Sequence, residues 1–165
     1  MRGRKIIFLD RDGVINKKPP RGEYIKSWKE FEFLPGVIEA LKLLNQEGYS
    51  IYLVTNQAGI GRGLMTEDDL KIIHEKLKKE LEKNSIRIEG VYYCPHEMNE
   101  NCECRKPKPG LLLRIAKEHN LDLKQVIFVG DEERDFQAGK AAGCKTILVK
   151  PQRNLLKIVN SFIKS

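Results

Sequence analysis

Long apolar runs are missing from this chain. Nowhere in its 165 residues does an apolar stretch approach the roughly 20 residues needed to span a bilayer. No membrane partner is therefore expected. The start, MRGRKIIFLD, is basic and then apolar, but the apolar part covers only Ile6 to Leu9 and ends on Asp10. That is too short for a signal peptide, and a cytoplasmic protein is expected. Internal repeats and low-complexity segments are also lacking, which excludes solenoids and disordered tails. The glycines of GIGRG (Gly59–Gly63) do not fit G-x-G-x-x-G, so a dinucleotide site is not indicated and a flexible turn near a phosphate is the better reading. No gap between β-rich runs exceeds about 45 residues, which leaves no room for a large cap domain.

What is present is positive charge. Thirty Lys and Arg against 23 Asp and Glu give a formal charge of +7, which favours anionic partners. The basic residues are spread along the chain, and KLKKELEK (Lys76–Lys83) reads as a solvated helix face. Small anionic substrates fit this pattern better than a nucleic-acid groove, and no nucleic-acid partner is expected. A single domain over residues 1–165, acting as a monomer, is the expected organisation.

Short β-rich runs alternate with amphipathic helical stretches. Strands are expected at Lys5–Leu9, Ser50–Thr55, Gly90–Tyr93, Val126–Gly130 and Thr146–Val149. Each is a continuous apolar run, as in strands covered on both faces. Helices are expected at Gly36–Gly48, Thr66–Lys83, Leu111–His119, Phe136–Ala142 and Asn154–Ile163. The alternation predicts an α/β fold: an open parallel five-stranded sheet with helices on both faces. Two irregular stretches, Gly13–Pro35 and Pro95–Pro109, follow strand ends. That edge of an open α/β sheet carries the ligand site.

The chemistry-bearing residues gather at the same edge. FLDRDGVIN sets Asp10 and Asp12 two positions apart, on one side of an extended chain. Taken alone, this can be a solvated Asx turn, or a pair of acids placed for a cation or a reaction. VTNQAG brings Thr55 and Asn56, whose hydroxyl, amide and turn N–H groups suit an oxyanion. CRKPKPG brings Arg105, Lys106 and Lys108, and GDEERD brings Asp131. Mg²⁺ prefers carboxylate and carbonyl oxygens. Bridging Asp10, Asp131 and a phosphate oxygen, it removes the repulsion that protects a phosphate ester from a carboxylate. One carboxylate can then attack phosphorus while another protonates the leaving alkoxide and later activates water.

A second cluster lies in Cys94-Pro95-His96 and Cys102-Glu103-Cys104. Three thiolates and an imidazole match a closed, structural Zn²⁺ site, with disulfides or free thiols as the alternative. Cys144, in AAGC, reads as a core thiol. His74 and His119 read as surface or capping residues, and Trp28 and Phe31 as packing residues.

FLDRDGVIN, FEFLPGV, VTNQAGIGRG, YYCPH, CECRKPKPG and GDEERD, in this order, resemble the haloacid dehalogenase superfamily. Within it they resemble the D,D-heptose 1,7-bisphosphate and histidinol-phosphate phosphatases. The resemblance implies a Rossmann-like hydrolase core with a zinc-stapled loop. It implies Asp10 as nucleophile and Asp12 as general acid/base. Mg²⁺ would sit on the Asp10 carboxylate, the Asp12 backbone carbonyl and Asp131, and Zn²⁺ on Cys94, His96, Cys102 and Cys104. Thr55 and Lys106 would stabilise the phosphoryl group, and Asp135 would orient its neighbours. Arg11, Arg21, Tyr24, Asn56, Gln57 and Arg105 are the expected substrate contacts, with Arg21 and Tyr24 on a flap. Glu132 departs from the family, which often has a basic residue there, and an acid cannot bind substrate phosphate. GIGRG and FEFLPGV lie closer to the heptose enzymes, so a sugar phosphate is the expected substrate. Release of the C7 phosphate for lipopolysaccharide biosynthesis is the implied activity. The alternatives are a histidinol-phosphate phosphatase and a phospho-acceptor module without turnover.

Overall fold

Strands form where the apolar runs lie, because a chain covered on both faces has no polar side to spare. The structure, a computed structural model, describes residues 4–97 and 99–163. The basic start, Met1 to Gly3, lies outside the described residues. The strands are β1 (Lys5–Leu9), β2 (Tyr49–Asn56), β3 (Gly90–Cys94), β4 (Val126–Gly130) and β5 (Lys145–Leu148). All pair in parallel, in the order β3-β2-β1-β4-β5. Leu9 stands level with Leu53 and with Val129. Asp10, Thr55 and Asp131 follow those level positions by one or two residues and so reach the same edge.

The helices are α1 (Val37–Gln46), α2 (Glu67–Lys83), α3 (Gly110–His119), α4 (Glu133–Ala142) and α5 (Leu155–Ile163). Alternate strand residues point to opposite faces. Ile7, Leu9, Ile51 and Leu53 pack against Leu41 and Leu44 of α1 and Ile158 of α5. Ile6, Phe8, Val54 and Phe128 pack against Leu112 and Ile115 of α3 and Ala138 of α4. Each such fully buried side chain contributes about 1.5–3 kcal/mol. These two layers hold the carboxyl edge of the sheet in place. No helix among the described residues is long and apolar enough to cross a membrane.

Two loops stand over that edge, residues 10–36 after β1 and 95–109 after β3. The first is pinned at its base, where Asn16 bridges Phe33 and Lys17 N–H donates to the Glu32 carbonyl at 2.8 Å. Further out, Tyr24, Ile25, Trp28 and Phe31 seat it on Leu70 and Ile73 of α2. Trp28 and Phe31 stack at 4.9 Å, the packing role expected of them. Helix α2 opens on a capping box, with Thr66 and Asp69 exchanging hydrogen bonds of 2.9 and 3.0 Å. Helix α4 starts at Glu133, not at Phe136 as the hydrophobic pattern suggested. A reciprocal cap between Glu132 and Asp135 begins it early and fixes Asp135 in its first turn.

Candidate active site

Asp10 closes β1, its N–H donating to the Val129 carbonyl at 2.9 Å. Its carboxylate accepts from the Arg11 backbone N–H at 2.8 Å and lies 3.1 Å from Lys106 Nζ. Lys106 arrives buried from the loop after β3 and pairs with Asp135 at 2.6 Å as well. Asp135 is tied down in turn by the N–H groups of Asp131 and Glu132, at 3.0 and 3.1 Å. Asp135 therefore orients its neighbours. Asn56 does the same for Lys106: its amide spans the Lys106 N–H at 3.1 Å and carbonyl at 3.3 Å.

Asp12 is held from three sides. Arg11 forks onto Oδ1 through Nε at 3.0 Å and Nη2 at 2.8 Å. Asn16 Nδ2 donates to the same oxygen at 2.8 Å, and Gln57 Nε2 to Oδ2 at 3.2 Å. Gln57 also donates to Thr55 Oγ1 at 2.9 Å.

These partners separate the two acids electrostatically. Burial pushes Asp10 well up, and the charges of Asp135, Asp131 and Asp12 add to the push against Lys106. Burial also works against ionised Asp12, but the Arg11 guanidinium and the bonds from Asn16, Arg11 and Gln57 outweigh it and hold Asp12 down. Asp135 resists burial through Lys106 and sits at about 2. Lys106 is held up by Asp10 and Asp135 in spite of its burial.

The carboxylates fit a hard divalent cation. Oxygens of Asp10, Asp131 and Asp135 lie within 4.8 Å of one another. Asp131 Oδ1 is buried without a hydrogen-bond partner among the described residues, a costly state that a cation relieves. A positive group already rests there, since Lys18 Nζ lies 2.9 Å from Asp131 Oδ2 and also bonds Glu132. Gly13, at φ +91°, passes so close that a Cβ would sit 2.2 Å from Asp131 Oδ2. Only glycine brings the backbone this near.

The sulfur cluster fits a different ion. All four cysteines are free. Cys94 Sγ stands 3.7 Å from Cys102 Sγ and 3.4 Å from His96 Nδ1, which is 3.3 Å from Cys104 Sγ. A zinc tetrahedron of S and N ligands has edges of about 3.3–3.8 Å, while a disulfide needs about 2 Å. The four atoms are therefore spaced as ligands. Arg105 and Lys106 follow Cys104 directly, and Lys108 Nζ donates to the Cys102 carbonyl at 2.8 Å.

A cleft of about 630 Å³ opens over Asp10, Asp12, Thr55, Asn56 and Lys106. Lys18, Arg21, Tyr24, Arg62, Arg105 and Arg134 also line it, together with the acids Glu23 and Glu132. Arg62 and Arg134 were not read as candidates; what they share is a place beside motif glycines or acids, GIGRG and GDEERD. Two expected substrate contacts stand elsewhere. Arg11 is 0% exposed and faces the interior, and Gln57 is buried as well. Each is spent on Asp12, and neither lines the cleft. His74, expected at the surface or as a cap, is buried in mid-helix against Arg11. Glu132 meets cations in place of substrate, pairing with Lys18 and Arg134.

Known proteins resemble this chain in sequence and fold. The haloacid dehalogenase-like hydrolase family matches residues 11–149. A D-glycero-beta-D-manno-heptose-1,7-bisphosphate 7-phosphatase of Helicobacter pylori is 44% identical over 97% of this chain and 90% of its own. A D-glycero-alpha-D-manno-heptose-1,7-bisphosphate 7-phosphatase of Campylobacter jejuni is 38% identical over 96% of this chain and 95% of its own. The crystal structure of D,D-heptose 1,7-bisphosphate phosphatase from B. bronchiseptica, complexed with magnesium and phosphate, superimposes with a TM-score of 0.90. It is 34% identical and covers 97% of this chain and 98% of its own. The chain belongs to the haloacid dehalogenase-like hydrolases, within them to the family of the heptose bisphosphate phosphatases.

Proposed function

We propose that this chain hydrolyses the C7 phosphate ester of D-glycero-D-manno-heptose 1,7-bisphosphate through an aspartyl-phosphate. The observation that carries the reading is the buried Asp10–Lys106–Asp135 chain, whose Asp10 and Lys106 line the cleft, beside an Asp131 oxygen with no hydrogen-bond partner among the described residues. A bound Mg²⁺ would be held by Asp10, Asp131 and the Asp12 carbonyl, and it would supply positive charge that favours ionised Asp10 and neutralises the phosphoryl oxygens. Asp10 then attacks phosphorus, a P–O bond forms to its carboxylate, and the ester P–O bond breaks. Lys106 and Thr55 stabilise the charge that the phosphoryl oxygens gain. Asp12 gives its proton to the departing C7 alkoxide, its own pKa raised by the anionic phosphate brought beside it. In the second half, Asp12 takes a proton from water, the resulting hydroxide attacks phosphorus, and Asp10 leaves as a carboxylate. The products are inorganic phosphate and the heptose 1-phosphate, the form needed for nucleotide activation in envelope-sugar synthesis. Cys94, His96, Cys102 and Cys104 would hold Zn²⁺, which would pin the loop that presents Arg105 and Lys106. The enzyme works as a cytoplasmic monomer.

The rim supports a bisphosphate over histidinol phosphate. Four arginines, Arg21, Arg62, Arg105 and Arg134, line the cleft against two acids, Glu23 and Glu132, and a guanidinium grips a second phosphate while repelling an ammonium. The test is kcat/KM for both anomers of the heptose bisphosphate and for histidinol phosphate, at equal ionic strength. The bisphosphate is expected to win by at least about tenfold. A tenfold preference for histidinol phosphate overturns the substrate, and a stable phospho-protein without turnover overturns the activity.

A further inference from the structure

His74 lies on the buried face of α2, 8% exposed, and lines no part of the cleft over Asp10. Its Nε2 is 3.0 Å from Nη1 of Arg11. A guanidinium can only donate. Nε2 therefore accepts, the ring is neutral, and its proton is on Nδ1. Burial and the neighbouring guanidinium both favour this state, drawing the imidazole down to about 3.

The other donors of Arg11, Nε and Nη2, converge on Asp12 Oδ1. The guanidinium Cζ sits over the Phe31 ring, 5.8 Å from its centre. Carboxylate, imidazole and ring thus bound the guanidinium on three sides. A planar fork held by only one of its ends can swing about its stem; one held at Nη1 as well has a single orientation. The carboxylate it grips inherits that orientation.

We infer that His74 is a positioning residue for proton transfer by Asp12, acting through Arg11. The inference rests on the proposed role of Asp12 as general acid. Asp12 must present Oδ2 to the leaving oxygen within hydrogen-bond reach. Asn16 and Arg11 engage Oδ1, and Gln57 reaches Oδ2 from the side at 3.2 Å. Of the elements holding Asp12, α2 is the one outside the loops after β1 and β2. Through His74 it ties the acid to the packed core.

Leaving-group dependence distinguishes positioning from bulk stability. A sugar alkoxide needs its proton as the ester bond breaks, whereas p-nitrophenolate leaves without one. The parameter to compare is kcat/KM, which ends at the first phosphoryl transfer and excludes hydrolysis of the aspartyl-phosphate. His74→Phe, which fills the volume but accepts no hydrogen bond, is expected to lower kcat/KM for the heptose bisphosphate by about 10–100-fold. For p-nitrophenyl phosphate the loss is expected to stay below about threefold. His74→Gln, with an amide oxygen near the Nε2 position, is expected to restore the first value to within about threefold of wild type. Equal loss on both esters, or no loss on either, overturns the inference. Should His74→Phe fail to fold, the paired replacement Arg11→Met with His74→Leu leaves no buried donor unmatched. It must show the same ester-dependent loss, and a uniform loss overturns the inference. Asp12→Asn run alongside keeps the two readings apart. If it shows no ester dependence, the acid role of Asp12 fails, whatever His74 does.

Discussion

Two groups of side chains in this molecule are spaced to share a metal, and they are built in opposite ways. Asp10, Asp131 and Asp135 come from the ends of β1 and β4 and the first turn of α4, which the sheet and a helix cap already fix. Lysines stand among them: Lys106 within 3.1 Å of both Asp10 and Asp135, and Lys18 at 2.9 Å from Asp131. In the other group only Cys94 belongs to a strand; His96, Cys102 and Cys104 are on the loop after β3. Burial raises Cys94 and Cys104, while Cys102, with hydrogen bonds from the Arg105 backbone and its neighbours, is drawn down to about 7 against its burial. The first group is fixed by the sheet and a helix cap, with ammonium groups beside its carboxylates; three of the four members of the second stand on a loop.

The largest effect should come from breaking the carboxylate group at its centre. Asp10→Asn keeps the shape but removes the attacking oxygen anion, and kcat is expected to fall by about three orders of magnitude or more. The fold should survive, since Asp10 is a buried acid whose charged form is already disfavoured. Phosphate release with saturating Mg²⁺, paired with thermal unfolding, checks both halves. Activity near wild type would remove Asp10 from the nucleophile position.

Breaking the sulfur group should act in reverse order, on stability first. Purified protein is expected to carry about one zinc per chain by elemental analysis. Cys102→Ser should lower the melting temperature by several degrees and weaken turnover through the displaced Arg105 and Lys106. Excess Mg²⁺ should rescue neither. A zinc-free preparation of equal stability and full activity would contradict the structural role.

The same contrast bears on what could be read from residue types alone. Strand runs and strand-end acids were legible because their signals are local: apolar continuity, then Asp10, Thr55 and Asp131 at the same edge. The inward turn of Arg11 was also available, since Asp10 and Asp12 share one side and the residue between them must take the other. His74 carried a signal too. It falls four residues after Leu70 and three before Leu77, on the stripe that α2 buries. Its class as a histidine drew it to the surface; its position placed it in the core. Glu132 was not legible. Its role depends on Lys18, 114 residues away, and no local pattern announces a partner at that distance. The early start of α4 was hidden for a related reason, because Asp131 to Asp135 looked like a motif loop when the acids were also the cap.

The smallest expected effect tests whether Lys18 stands in for the cation. Its ammonium lies on Asp131 and is also held by Glu132, with Lys18 more than a third exposed. A divalent ion entering the site must displace it from Asp131, and Glu132 offers it somewhere to remain. Lys18→Met removes the competing charge, so Mg²⁺ should bind about three- to tenfold more tightly, the scale of a partly exposed ion pair. Glu132→Gln should do the opposite, because it removes a nearby negative charge and leaves Lys18 with Asp131 as its remaining carboxylate partner. Calorimetric titration of Mg²⁺ into metal-stripped protein, with zinc retained, reads both without reference to turnover. Zinc content should be the same in both variants, since neither residue touches the sulfur group. Unchanged or weaker Mg²⁺ binding in Lys18→Met would mean that the ammonium does not compete for the site.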